Sequence, residues 1–428
     1  MRILYLSQYY PPEMGAPAVR VSQVARAWAA DGHLVTVLTG FPNHPTGVVP
    51  PEYRGWPYVR RENDHGVEVV RTPIYAAANK GLVRRSLNYL SYAASASILG
   101  PFLTRRPDVV VATSPQFLTA VAGFELARLQ RAPFVFEVRD LWPRSIVEVG
   151  AMKAESPVVQ LLGRLELFLY RHADRIAVVT DSFVDEIAQR GIPREKIVVA
   201  KNGVDLDLFS PGPRDNEVRR ALGLEGKFVA AYIGTHGLAH GLGTILEAAA
   251  LLRGDDRFRF LLVGEGADKA ALEERALAEN LANVIFVDKQ PHERIALYAQ
   301  AADATMVLLK DKPLFRTVLP SKMFELMGCA RPIVLGVDGE ARQIVEGARA
   351  GLFVPPESAP ALVRALCQLA DHPAEAEAMG ARGRACVEAS FSRKVLARRY
   401  LDELARVVSK DRTVTETAPA MPAPGEAA

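Results

Sequence analysis

The 428-residue sequence has few of the residues that staple, metallate or anchor a protein. Cysteine occurs three times, at Cys329, Cys367 and Cys386, with no CxxC pair and no Cys/His metal spacing. That excludes a disulfide framework and a zinc ribbon, and reduced thiols in a cytoplasmic protein are expected. No clean apolar run reaches the length of a membrane-spanning helix. The opening MRILYLSQYYPPE lacks a signal-peptide pattern. Charge is nearly balanced, 52 Lys and Arg against 49 Asp and Glu, and a net +3 implies no nucleic-acid partner. GxSxG, HExxH and P-loop patterns are absent. Gly264-Glu265-Gly266 stands between a strand and a helix but lacks the third glycine of a dinucleotide turn. Asp205-Leu206-Asp207 reads as chain passing between domains, not as a magnesium-diphosphate site. No metal and no bound cofactor is therefore expected.

What is present is alternation. The length favours two domains. Apolar runs at 3–6, 34–38, 108–113, 133–138, 175–180 and 196–200 read as strands with helices between them, a βαβ opening and a doubly wound first half. The loop SQYYPPEMGAP follows the first strand, at the edge where such sheets bind ligands, and its Gly15 lets backbone approach a ligand. Arg20 lies one turn into the next helix, read as 19–30. Residues 40–65 carry Pro, Gly and aromatics without a period and read as a long site-lining loop, with His44 a candidate substrate contact. Residues 81–106 have an apolar centre between arginine pairs. They read as a core helix or as a face resting on an anionic membrane. EVRDLWPRS, with Glu137, Arg139, Asp140 and Trp142, closes another strand at the same edge. The Arg139–Asp140 pair reads equally as chemistry or as a loop clamp.

Residues 211–227, rich in Pro and Gly, read as a linker into a second parallel α/β domain with strands at 228–234, 258–264, 283–287, 304–309 and 350–354. Within it the stretch PLFRTVLPSKMFELMGCARPIVLGVDGE (313–340) is the most informative. Ser321 suits an N-cap, and Gly328 with Arg331-Pro332 suits a stop. Met323, Leu326, Met327 and Ala330 form one apolar stripe. Lys322 and Glu325 lie off it. A cation at a helix N-terminus favours an anion, and a carboxylate one turn on can accept a ribose diol. An ordinary αβ unit with a surface Lys and Glu is the competing reading. After Lys410 the tail is low in complexity and reads as disordered.

Ten stretches in order carry a resemblance: SQYYPPEMGAPAVR, LTGFPNHPTG, NYLSYA, ATSP, PFVFEVRDLWP, KNGVD, YIGTHGLAHGL, LLVGEG, PLFRTVLPSKMFE and GVDGEAR. From Met1 to about residue 405 the chain resembles the retaining GT-B glycosyltransferases of family 4, within them the WbuB-like group of O-antigen, capsule and exopolysaccharide assembly. The resemblance implies an α/β protein of GT-B architecture, two Rossmann-like doubly wound domains facing across a cleft. Residues 1–205 would form the acceptor side and 206–390 the nucleotide-sugar side. A helix at 391–410 would cross back to the first domain, with 411–428 a disordered tail. Gly15 would face the donor diphosphate, Lys322 and Arg316 would be cations near it, and Glu325 would bind the ribose. Thr235, His236, Gly237, His240, Gly264, Lys289 and Ser321 complete the donor-side candidates. Arg20, His44 and Glu137 are acceptor-side candidates, and Asp140, Arg139 and Arg316 the catalytic ones. Relatives carry two glutamates eight residues apart, where this chain has Thr317 first, and a cationic pair where it has Thr235 and His240.

The implied reaction is metal-independent transfer with retention from a nucleotide sugar to a lipid-linked or saccharide acceptor in cell-surface polysaccharide synthesis. The donor is expected to be UDP-linked, with an N-acetylated hexosamine or a deoxyhexosamine as candidate sugars. Cytoplasmic placement, with peripheral membrane contact through 81–106, is the matching expectation. Two alternatives stand: a GT-B sugar-nucleotide 2-epimerase, and a non-catalytic sugar-nucleotide-binding subunit.

Overall fold

The computed structural model describes residues 1–13, 15–55, 58–78, 82–114, 116–144, 147 and 152–416, with the backbone alone at 82, 314 and 410–416. The chain forms two compact units, Met1–Ala200 with Ala397–Ala428, and Lys201–Leu396.

Among the described residues the first unit contains one eight-stranded sheet. Its strands are β1 (Arg2–Leu6), β2 (Leu34–Gly40), β3 (Arg60–Asp64), β4 (Val67–Thr72), β5 (Val109–Thr113), β6 (Phe134–Val138), β7 (Arg175–Val178) and β8 (Ile197–Val199). They lie in the order β3-β4-β2-β1-β5-β6-β7-β8. VVVAT and FVFEV are near-continuous apolar runs because both sheet faces are covered, as parallel sheets require. Strand order reverses between β1 and β5, so the loops leaving their carboxyl ends form the ligand edge of this unit.

Two strands of this sheet, β3 and β4, go beyond the strands read from the sequence. Residues 40–65 are not all loop: Arg60–Asp64 pairs antiparallel with β4. RREND has no apolar residue to announce a strand, but charge suits an exposed sheet edge. The signal was His65-Gly66, both at positive φ (51° and 86°), a two-residue hairpin turn.

The helix Ala16–Ala30 begins three residues earlier than the sequence suggested, because Pro17 is tolerated in a first turn. It covers one sheet face with Trp28 at its centre. Trp28 is fully buried, stacks on Tyr5 at 5.5 Å and meets Tyr400 edge-on at 5.4 Å. Its Nε1–H donates to the Ala397 carbonyl at 2.9 Å. The last helix, Arg393–Glu416, is thereby seated in the first unit through Tyr400, Leu401 and Leu404. It runs six residues into the stretch read as tail; 417–428 lie outside the described residues.

The second unit has a six-stranded, all-parallel sheet among the described residues. Its strands are β9 (Phe228–Ile233), β10 (Phe258–Val263), β11 (Val284–Val287), β12 (Ala304–Leu308), β13 (Ile333–Gly336) and β14 (Gly351–Phe353), in the order β11-β10-β9-β12-β13-β14. This is the doubly wound order, with its switch point between β9 and β12. The unit starts earlier than residue 206, since Val204 is a core residue here and pairs with Ser392. The expected linker at 211–227 is also part of it. Arg331 donates to the Gly212 carbonyl at 2.9 Å, and Asn216 caps the helix Glu217–Leu222.

The stretch at 313–340 folds as a short 3₁₀ turn, Pro313–Thr317, and the helix Ser321–Gly328. Met323, Leu326 and Met327 are buried as the stripe required, and Phe324 joins them. Two details differ. Pro320 is the N-cap, and Ser321 is the first helical residue with no capping bond. Gly328 does not stop the helix by its conformation; Ala330 takes the left-handed turn at φ 54°. Gly328 is there for packing, since a Cβ would lie 3.0 Å from the Phe209 carbonyl oxygen.

Trp28→Phe keeps most of the ring but removes the indole donor, while the Ala397 carbonyl keeps its bond within the helix. A loss of about 0.5–1.5 kcal/mol is expected. Chemical denaturation together with hydrogen exchange across 393–409 checks it: exchange there should rise, and unchanged protection would show that the bond is not what seats the helix.

Candidate active site

In the second unit the loops after β9 and β10 meet backbone to backbone. Gly264 has φ 149°, and a Cβ on it would lie 1.9 Å from the Gly234 carbonyl oxygen, so only glycine closes this contact. Above the loops stands the helix Ser321–Gly328. Its Lys322 side chain is partly accessible, but Nζ has no accessible surface and no hydrogen-bond partner among the described residues. The ammonium sits 3.8 Å from the centroid of the Tyr232 ring, a cation–π contact at a desolvated position. Tyr232 is itself fixed, its hydroxyl donating to the Thr235 carbonyl at 2.8 Å. Burial pulls the Lys322 ammonium down to about 7, with Glu325 pulling the other way. Burial pushes the Glu325 carboxyl up to about 7 against the pull of Arg393 and Lys322.

His240 lies beside this cation, its Nδ1 3.2 Å from the Gly237 carbonyl oxygen. Burial, then Lys322, holds it down to about 4, so it is neutral across the physiological range. His236 is wholly buried and neither ring nitrogen has a partner among the described residues. Thr235 and Lys289 are exposed. Arg316 is exposed and its guanidinium is 3.2 Å from Asp311. The structure thus brings Lys322, Glu325, His240, Gly237, Thr235 and Gly264 to one edge of the second sheet, and leaves Arg316 and Lys289 in solvent.

Asp205 and Asp207 are committed elsewhere. Asp205 Oδ1 accepts from the Asp207 N–H at 3.1 Å, and Asp207 pairs with Lys394 at 2.7 Å.

In the first unit Gly15 is the N-cap of Ala16–Ala30 in an extended conformation that any residue adopts. The nearest atom a Cβ would meet is 3.7 Å away, so the fold itself does not demand glycine here. Arg20 and Glu137 are a correction to the expectation of acceptor contacts. Both are buried, 2.6 Å apart, and Glu137 has no accessible surface. Tyr5 donates to its second oxygen at 2.5 Å, and Arg20 also reaches the Ala200 carbonyl at 2.8 Å. They brace the helix against the sheet from within. Arg139, next along β6, is the contrast. Its Nε and Nη1 are occluded and have no partner among the described residues, and burial pushes its guanidinium down. Asp140 is reached by solvent, yet its surroundings push the carboxyl up to about 6.

A polar network at the ends of β1 and β2 was not anticipated. Gln8 donates to Asn88 at 2.6 Å, and Asn88 to Asn43 Oδ1 at 3.1 Å. The backbone N–H groups of Asn43 and His44 both donate to Glu13 Oε1 at 2.9 Å. Glu13 is buried, which raises its pKa against those two bonds, and its Oε2 has no partner among the described residues. His44 is half-buried and meets Tyr9 edge-on at 5.2 Å. The sequence signal was weak: four polar residues, Gln8, Glu13, Asn43 and Asn88, in two loops and a helix, far apart along the chain.

Comparison with known proteins identifies both halves of the chain. Residues 15–203 match the model of the glycosyl transferase 4-like domain, and residues 214–385 match that of glycosyl transferases group 1. A solved structure of Alr3699/HepE from Anabaena in complex with UDP-glucose superposes with TM-score 0.70 at 17% identity, covering 96% of this chain and 100% of that one. With both domains and that fold, the chain is a GT-B glycosyltransferase. Its first domain is of the 4-like family and its second of group 1. Among characterised sequences it is similar to WcaI of Escherichia coli (strain K12), named for colanic acid biosynthesis, at 27% identity over 86% of this chain and 92% of that protein. It is also similar to the glycosyltransferase WbjE of Pseudomonas aeruginosa, at 24% identity over 76% and 82%.

Glu13→Gln keeps an oxygen for the two backbone donors, whereas Glu13→Ala leaves both N–H groups unpaired. Glu13→Ala is therefore expected to lose roughly 1–3 kcal/mol more than Glu13→Gln. Thermal unfolding of the two variants compares them, and equal melting would mean that Glu13 does not clamp the 41–47 loop.

Proposed function

We propose that the protein moves a sugar from a UDP-linked donor, with retention, to a lipid-linked or saccharide acceptor during assembly of a cell-surface polysaccharide, as in the WbuB-like group. The observation that carries the donor half is the Lys322 ammonium, desolvated, without a partner among the described residues and at the tip of a helix. A buried cation without a carboxylate is costly, and a diphosphate would supply the missing charge. Glu325, one turn on, then accepts the ribose hydroxyls. Similarity to WcaI, named for colanic acid biosynthesis, and to HepE, solved with UDP-glucose, supports the same reading.

In the reaction the sugar becomes oxocarbenium-like as negative charge grows on the leaving diphosphate. Lys322 and backbone N–H groups stabilise that charge, and losing one such donor costs ~10²–10³ in rate. A phosphate oxygen takes the acceptor's proton on the same face. Asp140 supplies negative charge to the sugar or orients the acceptor. Arg316, exposed and paired with Asp311, is the weaker second cation. No carboxylate pair is assigned to a metal, so transfer should persist in excess chelator; activity restored only by magnesium would refute that part.

Binding of UDP in calorimetry tests the donor site. At pH 8 Glu325 is already ionised and Lys322 is mostly neutral, since both titrate near 7. A bound diphosphate raises the lysine's pKa, so uptake approaching about one proton per UDP is expected from titrations in buffers of different ionisation enthalpy. Lys322→Met should abolish the uptake and weaken UDP by roughly 1.5–3 kcal/mol. Parent protein that binds UDP without proton uptake would remove Lys322 from the diphosphate site.

A further inference from the structure

The helix Leu82–Leu103 is built inside out. Asn88, Tyr92 and Ala96 face the protein, where Asn88 joins the polar network and the Tyr92 hydroxyl donates to the Leu38 carbonyl at 2.8 Å. Its outward side carries Val83, Leu87, Leu90, Ile98 and Phe102, all exposed, Phe102 by 85%. Their spacing of three, four and eight residues keeps them on one helical stripe. An ordinary surface helix has the opposite polarity, so this stripe is made to be covered.

The stripe continues across two neighbours. The helices Leu118–Gln130 and Pro157–His172 cover the same sheet face, as Tyr92, Ala96, Leu126 and Leu169 share one core cluster. Ser97 donates to Glu125 at 2.5 Å across the first pair, and Phe124 meets Phe168 edge-on at 5.4 Å across the second. Their outward sides add Leu129, Leu161 and Phe168. Around these side chains stand exposed Arg84, Arg105, Arg106, Arg128, Arg164 and Arg171. Acid is nearly missing. The three helices hold two carboxylates: Glu166, buried against Arg190 and Tyr170, and Glu125, bonded to Ser97.

We infer that this three-helix face of the first unit docks on an anionic lipid surface. The inference rests on the proposed lipid-linked acceptor and deepens it by naming where the protein meets the membrane. Apolar side chains at the centre would enter the acyl boundary, while arginine stems lie along it and place guanidiniums among the phosphates. A second copy is a poor occupant, because pairing this face with itself would oppose two arginine rims. Crossing the membrane is not implied: among the described residues no helix is long and apolar enough.

The test is flotation of the full chain with vesicles of equal parts phosphatidylcholine and phosphatidylglycerol, beside vesicles of phosphatidylcholine alone. Binding is expected to the first, weakened by salt. Leu87→Ser with Phe102→Ser should reduce it by about tenfold or more. Arg105→Glu with Arg106→Glu should do likewise. UDP affinity, measured on the same proteins, should not move. Phe102→Ser alone, at the most exposed position, serves if the double variant melts early. Parent protein that ignores anionic vesicles while binding UDP overturns the docking face and leaves the transfer reading standing. So does an apolar variant that floats like the parent. Concentration-dependent self-association abolished by Phe102→Ser would assign the face to a protein partner and equally overturn the inference.

Discussion

The second unit holds an ammonium out of water with no hydrogen-bond partner among the described residues, a costly placement that the surrounding loops are arranged to tolerate. The Tyr232 face, 3.8 Å below Lys322, offers partial compensation. Tyr232 can do so only because Thr235 holds its hydroxyl and because β9 is buried on both sides. The same loop closes on Gly264, where backbone meets backbone with no room for a side chain. Cation, aromatic and glycine contact form one unit at the switch point of the sheet. In the proposed reading a donor diphosphate completes this unit, which is how a binding site differs from a structural ion pair.

The first unit shows that contrast directly. Glu137 has no accessible surface and Arg20 is buried beside it, yet the oxygens of Glu137 are taken by Tyr5 and Arg20. That pair is finished and braces the fold. Arg139, two residues further along the same chain, keeps two occluded nitrogens without partners among the described residues. Proximity along β6 suggested one shared role for these charges, and hydrogen-bond accounting separates them.

Polarity is distributed unusually around Leu82–Leu103. Its interior side chains serve a hydrogen-bond network and its exterior ones are apolar. From the sequence alone its apolar content suited a core helix as well as a membrane face, because periodicity reports that a stripe exists and not which way it points.

The sequence by itself determined the alternation of strands and helices, the doubly wound class and the stretch around Lys322 and Glu325, because buried parallel strands and a helix stripe leave local, periodic signals. Tertiary structure alone decided which charges are spent. Arg20 and Glu137, 117 positions apart, meet only when the helix Ala16–Ala30 lies on the sheet. Glu13, Asn43 and Asn88 join only when two loops and a helix converge. The charged strand β3 left no hydrophobic signal because RREND has no apolar residue and its positions are only half-buried or exposed, so its pairing across the turn was decided by the fold. The tip of Ser321–Gly328 could be read locally; the desolvation that moves Lys322 and Glu325 toward neutrality could not, since burial is set by chain brought in from elsewhere.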